Sequence, residues 1–116
     1  PFPATSAADF PPEVSVASAR QLLGDENSRA LLIDVREPWE TQICQVANST
    51  LIPMRRIPES LSSLPRDRYL LILCHHGSRS RQVTGFLRDR GFTAVSNVAG
   101  GITAWAEQLD PGMPRY

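Results

Sequence analysis

The chain has 116 residues, 41% of them apolar, enough for one globular domain and too few for two. Twelve cationic side chains, every one of them Arg, balance twelve Asp and Glu, so no bulk field recruits nucleic acid or an anionic membrane. Two cysteines, Cys44 and Cys74, give neither a disulfide framework nor a structural zinc spacing.

No run is long enough to span a bilayer, and the N-terminus lacks the charged and apolar regions of a signal peptide. A soluble, cytoplasmic protein is the expectation, with its cysteines reduced. The sequence starts at Pro1 without a Met, as in a chain that is processed or cut from something longer.

Residues 1–12, PFPATSAADFPP, carry four prolines and little apolar periodicity, and read as an extended arm or linker ahead of a domain over 13–116. Val14 and Val16 alternate as in a short strand. Ser15 or Ser18 can cap a helix through Leu22 and Leu23 that stops at Gly24. Residues 30–35 are apolar up to Asp34, as in a strand covered on both faces of a parallel sheet.

Pro38 suits the first turn of a short helix ending near Cys44, because that turn does not need its missing amide hydrogen. Residues 50–52 give a second short strand. Ile57, Leu61 and Leu64 mark one face of a helix that stops at Pro65. Residues 69–73 form the clearest central strand. After the polar turn HHGS, the residues Ser80, Val83, Phe86 and Leu87 share a helical face, and Gly91 supplies the stop.

Gly85 lies inside that helix, where close packing against the sheet would offset its cost of about 1 kcal/mol relative to Ala. Residues 94–98 are the last strand, Gly100 and Gly101 a turn, and Ile102, Trp105 and Leu109 the face of a final helix. Trp39 and Trp105 read as packing residues. Strands and helices alternate throughout, which predicts an α/β fold: an open sheet with helices on both faces.

Ligands of such sheets sit outside the carboxyl ends of the strands. Two motifs lie at such ends, Asp34-Val35-Arg36 and Cys74-His75-His76-Gly77-Ser78-Arg79. A short loop between a strand end and a helix start can turn successive amides inward, and the helix dipole adds positive potential at the same point. Gly77 permits a turn that a side chain would obstruct. A cysteine at the edge of such a cradle is favoured as thiolate, with Arg79 nearby. That thiolate can attack an electrophilic sulfur, hold it as Cys–S–S⁻ and pass it on, the amides stabilising the charge.

His75 and His76 are either contacts for an anionic donor or loop residues whose amides alone matter. Arg79 either faces the anion or pairs with a carboxylate such as Asp34 or Glu40. Asp34 and Arg36 either support the site or form an ion pair of structural value only. Cys44 reads as a packed residue near a helix end, with a resolving role toward Cys74 as the sharper alternative. A metal site from Cys74, His75 and His76 is disfavoured, since adjacent side chains diverge and no fourth ligand is spaced to join them. The proposed chemistry needs no cofactor.

The segments LLIDVREPWE, LILCHHGSRS, the helix leading to RGF, and NVAGGITAWAEQ resemble the successive signatures of single-domain rhodaneses over residues 13–110. The resemblance implies a five-stranded, mainly parallel sheet with helices on both sides. It also implies a sulfurtransferase that takes sulfur from thiosulfate or a persulfide donor. It carries Cys74 over as nucleophile, the amides of His75, His76, Gly77, Ser78 and Arg79 as the substrate cradle, and Asp34 and Arg36 as supporting residues.

One segment departs from the family pattern. Where the family commonly reads GHIPGAINIP, residues 44–53 read CQVANSTLIP, which keeps only the final Ile-Pro. A similar Ile-Cys variant and a PxxPRY ending occur in rhodanese domains fused to adenylyltransferases, so a protein sulfur acceptor or donor joins the small donor among the expected partners.

Two other classes of function remain open on the residues. A cysteine phosphatase or arsenate reductase uses the same cradle with five residues between Cys and Arg; here that Arg position is Ser80 and the shorter loop suits a single sulfur better than phosphate. A non-catalytic binding module is the second, and retention of Cys74 with its whole loop speaks against it.

Overall fold

The computed structural model describes residues 10–116. The chain runs β1 (Glu13–Val14), α1 (Val16–Gly24), β2 (Ala30–Asp34), α2 (Pro38–Ile43), β3 (Thr50–Leu51), α3 (Ile57–Ser60), β4 (Tyr69–Leu73), α4 (Ser78–Asp89), β5 (Val95–Val98) and α5 (Gly101–Gln108). The five strands form one sheet in the order β1-β5-β4-β2-β3 with every pairing parallel. Asp34 stands opposite Leu73 in the register, which brings the ends of β2 and β4 side by side.

Both faces of the central strands are buried, and this is why they read as unbroken apolar runs. Leu32, Leu71 and Leu73 point to one side with Val16 and Ala19 of α1 and Ile102 and Trp105 of α5. Ile33, Leu70 and Ile72 point to the other with Ile57 of α3 and Val83 and Leu87 of α4. Ser15 caps α1, its hydroxyl accepting from the Ser18 amide at 3.1 Å. Pro38 occupies the first turn of α2, as expected.

The expected arm falls largely outside the described residues; of its last three, Phe10 is buried edge-on against Tyr69 and Pro12 accepts a hydrogen bond from the Asn97 amide. Among the described residues no helix is long and apolar enough to cross a membrane.

Three expectations are corrected. The helix through Ile57 and Leu64 is a single turn at Ile57–Ser60, preceded by a 3₁₀ turn at Met54–Arg56. The Ser60 hydroxyl donates to Arg56 O and that of Ser63 to Ser60 O, and such local bonds compete with helix propagation. Leu64 nevertheless reaches the core. Gly85 does not pack on the sheet: a Cβ there would meet nothing within 4 Å. Trp39 is 60% exposed, while Trp105 is buried as expected.

Candidate active site

Cys74 follows directly on β4 and is buried, with 1% of its surface exposed. Its Sγ accepts from the Gly77 amide at 3.0 Å and lies 3.2 Å from Ser80 Oγ. Gly77 takes φ +108° as it leads into α4, and it supplies no side-chain cap. The opening amides of α4, which have no intrahelical acceptor, are therefore left to the loop they follow.

The loop is held from behind by α5. The Ile102 amide donates to Cys74 O at 2.8 Å and the Thr103 amide to His75 O at 3.2 Å. A trans peptide sets its N–H opposite its C=O, so these two bonds turn the amides of His75 and His76 away from α5. The contact requires glycine at 101: φ is +61°, and a Cβ would collide with the carbonyls of Cys74 and His75. The turn read from Gly100-Gly101 is thus the device that shapes the cysteine loop.

Ser80 sits beneath the sulfur, fully buried. Its hydroxyl donates to Asn97 Oδ1 at 2.5 Å, and Asn97 Nδ2 donates in turn to Glu13 Oε2 at 3.0 Å. A hydroxyl has one proton; with that proton on Asn97, the bond between Ser80 and Cys74 takes its hydrogen from the thiol.

Arg79 makes a two-pronged pair with Glu40, Nη1 to Oε2 at 2.7 Å and Nη2 to Oε1 at 2.8 Å. Of the alternatives for this residue, pairing with Glu40 is the one found. The fork, helped by the Glu37 amide and the Tyr116 hydroxyl, brings the Glu40 carboxyl down from 4.5 to about 2 although burial opposes it. The Arg79 guanidinium is held charged more firmly than usual by the same bonds.

Asp34 and Arg36 form a fully buried ion pair, Nη2 to Oδ2 at 2.7 Å. Arg36 also donates to Cys44 O at 2.8 Å and to the Tyr116 hydroxyl at 2.9 Å. Burial weakens its charged form, but the bonds to Asp34 and Tyr116 outweigh that and raise its pKa. None of its hydrogen bonds reaches Cys74. The pair ties the end of β2 to the end of α2 beside the loop.

His75 and His76 stack, centroids 3.8 Å apart, and His76 Nδ1 lies 3.2 Å from Thr103 Oγ1. Burial, then the neighbouring His76, holds the His75 pKa below its ordinary value. Among the described residues, no group of three or more His, Cys, Asp or Glu is placed to hold a metal ion.

The residues expected from the sequence lie together: Cys74, His75, His76 and Gly77 in this loop, Ser78 and Arg79 at the start of α4, and Asp34 and Arg36 alongside. Three contributors were missed: Ser80, read as a helix-face residue and as the position an Arg takes in a phosphatase loop, Asn97, and Tyr116, noted only as the last residue of the PxxPRY ending. The signal for Ser80 is its position in the first turn of α4, directly after the loop.

The chain matches the family model described as "Rhodanese-like domain" over residues 15–108. It is 36% identical over 102 residues to a sulfurtransferase of Allochromatium vinosum, covering 88% of this chain and 92% of that one. It is 33% identical over 101 residues to the adenylyltransferase and sulfurtransferase MOCS3-1 of Zea mays, covering 81% of this chain and 22% of that protein. The chain spans 30% or less of the longer relatives it matches. Among solved structures, a rhodanese-related protein from Thermoplasma volcanium superimposes with a TM-score of 0.75 at 31% identity, covering 88% of this chain and 94% of that one.

Proposed function

The chain belongs to the rhodanese-like domain family, and from that premise we propose that it is a sulfurtransferase that moves a sulfane sulfur through a persulfide on Cys74. A sulfurtransferase activity in the broad sense is what the full-length relative in Allochromatium vinosum supports. The observation that carries the finer reading is the Gly77 amide pointed at Cys74 Sγ at 3.0 Å, in a loop whose carbonyls are drawn off by α5.

With thiosulfate as donor, the Cys74 thiolate attacks the outer sulfur, the sulfur–sulfur bond of thiosulfate breaks and sulfite leaves with the electron pair. Cys74 then carries –S–S⁻. A thiophilic acceptor attacks the terminal sulfur, the new sulfur–sulfur bond breaks and Cys74 returns as thiolate. The thiol proton passes to solvent water before the first attack, and the Ser80 hydroxyl then rotates to donate to sulfur in place of the thiol's own donation. Gly77 and the first amides of α4 stabilise the anion in both half-reactions.

Arg79, engaged with Glu40, shapes the loop and contributes positive potential without leaving its partner. His75, His76 and Ser78 form the rim that a donor meets. A protein acceptor or donor is compatible with this rim, and the relatives fused to an adenylyltransferase give that reading its support.

The test is intact-protein mass spectrometry after brief exposure to thiosulfate, beside Cys74→Ala. A gain of one sulfur, about 32 Da, on the wild type only and removed by cyanide is the expected result. No adduct on a demonstrably free thiol, from thiosulfate or from a low-molecular-weight persulfide, defeats the proposal.

A further inference from the structure

Tyr116 meets parts of the site that lie far apart in sequence. Its ring lies flat on His75, centroids 3.8 Å apart and planes 10° from parallel. Its main-chain oxygen accepts a hydrogen bond from His75 Nε2 at 2.9 Å. A carbonyl oxygen can only accept, so Nε2 carries the proton and the tautomer of neutral His75 is set. At the other end of the side chain, the hydroxyl accepts from Arg36 Nη1 at 2.9 Å and donates to Glu40 Oε1 at 2.7 Å. Trp39 closes on the ring edge-on at 5.9 Å, and Met113 anchors the same tail in the core.

We propose that Tyr116 is a positioning residue for sulfur transfer at Cys74, clamping His75 against the buried Arg36 and Glu40 so that the cysteine loop keeps its cradle shape. The inference rests on the sulfur-transfer reading above and adds a residue to it.

The physical reason lies in how the loop is tethered. Its back is fixed through two carbonyls by α5, and the sulfur is fixed from below through Ser80. His75 is the first residue after Cys74, and its ring stacks on His76, which reaches Thr103 of α5, and on Tyr116. Tyr116 holds it, by stacking and by a hydrogen bond at once. The other end of Tyr116 is bound to two groups that have no freedom: Arg36 is fully buried on Asp34, and Glu40 is locked on Arg79. A line of direct contacts therefore runs from the buried charges at the ends of β2 and α2 to the residue beside the nucleophile. Two discrete links compose it, the ring and the hydroxyl; Tyr116→Phe cuts the hydroxyl alone and Tyr116→Ala cuts both.

The experiment compares wild type, Tyr116→Phe and Tyr116→Ala, each first shown to be folded by circular dichroism. His75 is titrated by NMR on protein that has met no sulfur donor. The groups that act on His75 besides burial are His76, the main-chain oxygen of residue 116, Glu40 and Arg79, all retained in both variants. Removing the ring relieves the burial that holds the His75 pKa down, so Tyr116→Ala is expected to bring it up toward the ordinary 6.5, while Tyr116→Phe leaves it near the wild-type value. Persulfide formation from thiosulfate is then timed by mass spectrometry. Tyr116→Ala is expected to load sulfur at least about tenfold more slowly, and Tyr116→Phe to fall between it and wild type, because the stack on His75 is kept while the hydroxyl anchor to Arg36 and Glu40 is lost.

A residue of structural value only would lower the melting temperature and change neither readout. An unmoved His75 titration in Tyr116→Ala overturns the inference, and so does loading within about twofold of wild type. The titration involves no sulfur chemistry, so failure of this inference and failure of the sulfurtransferase reading appear in different measurements.

Discussion

Arg79 and Glu40, 39 positions apart in sequence, meet through two parallel hydrogen bonds of 2.7 and 2.8 Å at the mouth of the cysteine loop. The fork joins α4 to α2 and is nearly closed to water on the Glu40 side, whose side chain is 4% exposed against 31% for Arg79. Two further donors, the Glu37 amide and the Tyr116 hydroxyl, complete the shell of the carboxylate. Charge-assisted pairs of this planar geometry are stronger than ordinary surface ion pairs.

Glu40 should therefore give the fold an acid-sensitive component. Its folded pKa of about 2 lies below its ordinary 4.5, so the stabilisation is complete above pH 4.5 and is lost as the pH falls from 4.5 toward 2. Allowing for the partial exposure of Arg79, it amounts to about 2 to 3 kcal/mol. Glu40→Gln should lose about 2 kcal/mol at pH 7 and show a flatter decline below pH 4.5. Urea denaturation of both proteins between pH 7 and pH 3 checks this; parallel curves across that range would contradict the assignment.

Two glycines of helical segments should respond to alanine in opposite directions. Gly85 lies on the outer face of α4 with open space around it, so Gly85→Ala should stabilise the protein by about 0.5 to 1 kcal/mol through helix propensity. Gly101 has φ +61° and no room for a methyl group against the Cys74 and His75 carbonyls. Gly101→Ala should cost more than about 2 kcal/mol and disturb the loop with it. Thermal unfolding ranks the two; equal shifts of melting temperature would mean that α5 does not press on the loop as described.

The contrast between those glycines shows what could be read in the sequence. The strands at residues 30–34 and 69–73 were legible because burial on both faces leaves an unbroken apolar run, and the cysteine loop because a polar turn separates a strand from a helix. Gly77 was legible because only a turn of that kind explains it there. Gly85 was misread, since a helical glycine looks the same in sequence whether it packs or faces solvent. Trp39 was misread for a related reason: its large apolar ring lies edge-on to Tyr116, a partner 77 positions away that local patterning does not reveal. The roles of Glu40 and Tyr116 depend on one tertiary junction, and a sequence can suggest such partners, as it did Glu40 for Arg79, without choosing among them.

Ser80 carries the next expectation. It stands between Cys74 Sγ and Asn97 Oδ1 with no exposure to solvent. Ser80→Ala leaves the Asn97 carbonyl oxygen without that donor and should cost about 1 to 3 kcal/mol in stability. It also removes a donor available to the thiolate and the persulfide, so sulfur loading from thiosulfate should slow by about tenfold or more. Stopped reactions followed by mass spectrometry measure the rate, and denaturation of the same samples measures the stability. Wild-type loading by a stable Ser80→Ala protein would remove the hydroxyl from the reaction.

Cys44 and Cys74 should not form a disulfide with each other. Cys74 packs with Ile33, Ile72 and Val83 on one side of the sheet, while Cys44 packs with Leu71, Leu73 and Val98 on the other. Joining them would require one side chain to leave its core layer, and disulfide geometry tolerates little displacement of the Cβ atoms. Both are free thiols, and Cys44 Sγ lies 3.9 Å from the Arg36 guanidinium, itself committed to Asp34. After mild oxidant in the absence of a sulfur donor, the intact protein should keep its mobility on a non-reducing gel and show no mass loss of two hydrogens. An internal bond recovered by peptide mapping would demand a rearrangement of the β2–α2 segment and would restore a resolving role for Cys44. If the bond is absent, release of the persulfide proposed on Cys74 falls to an external acceptor rather than to Cys44.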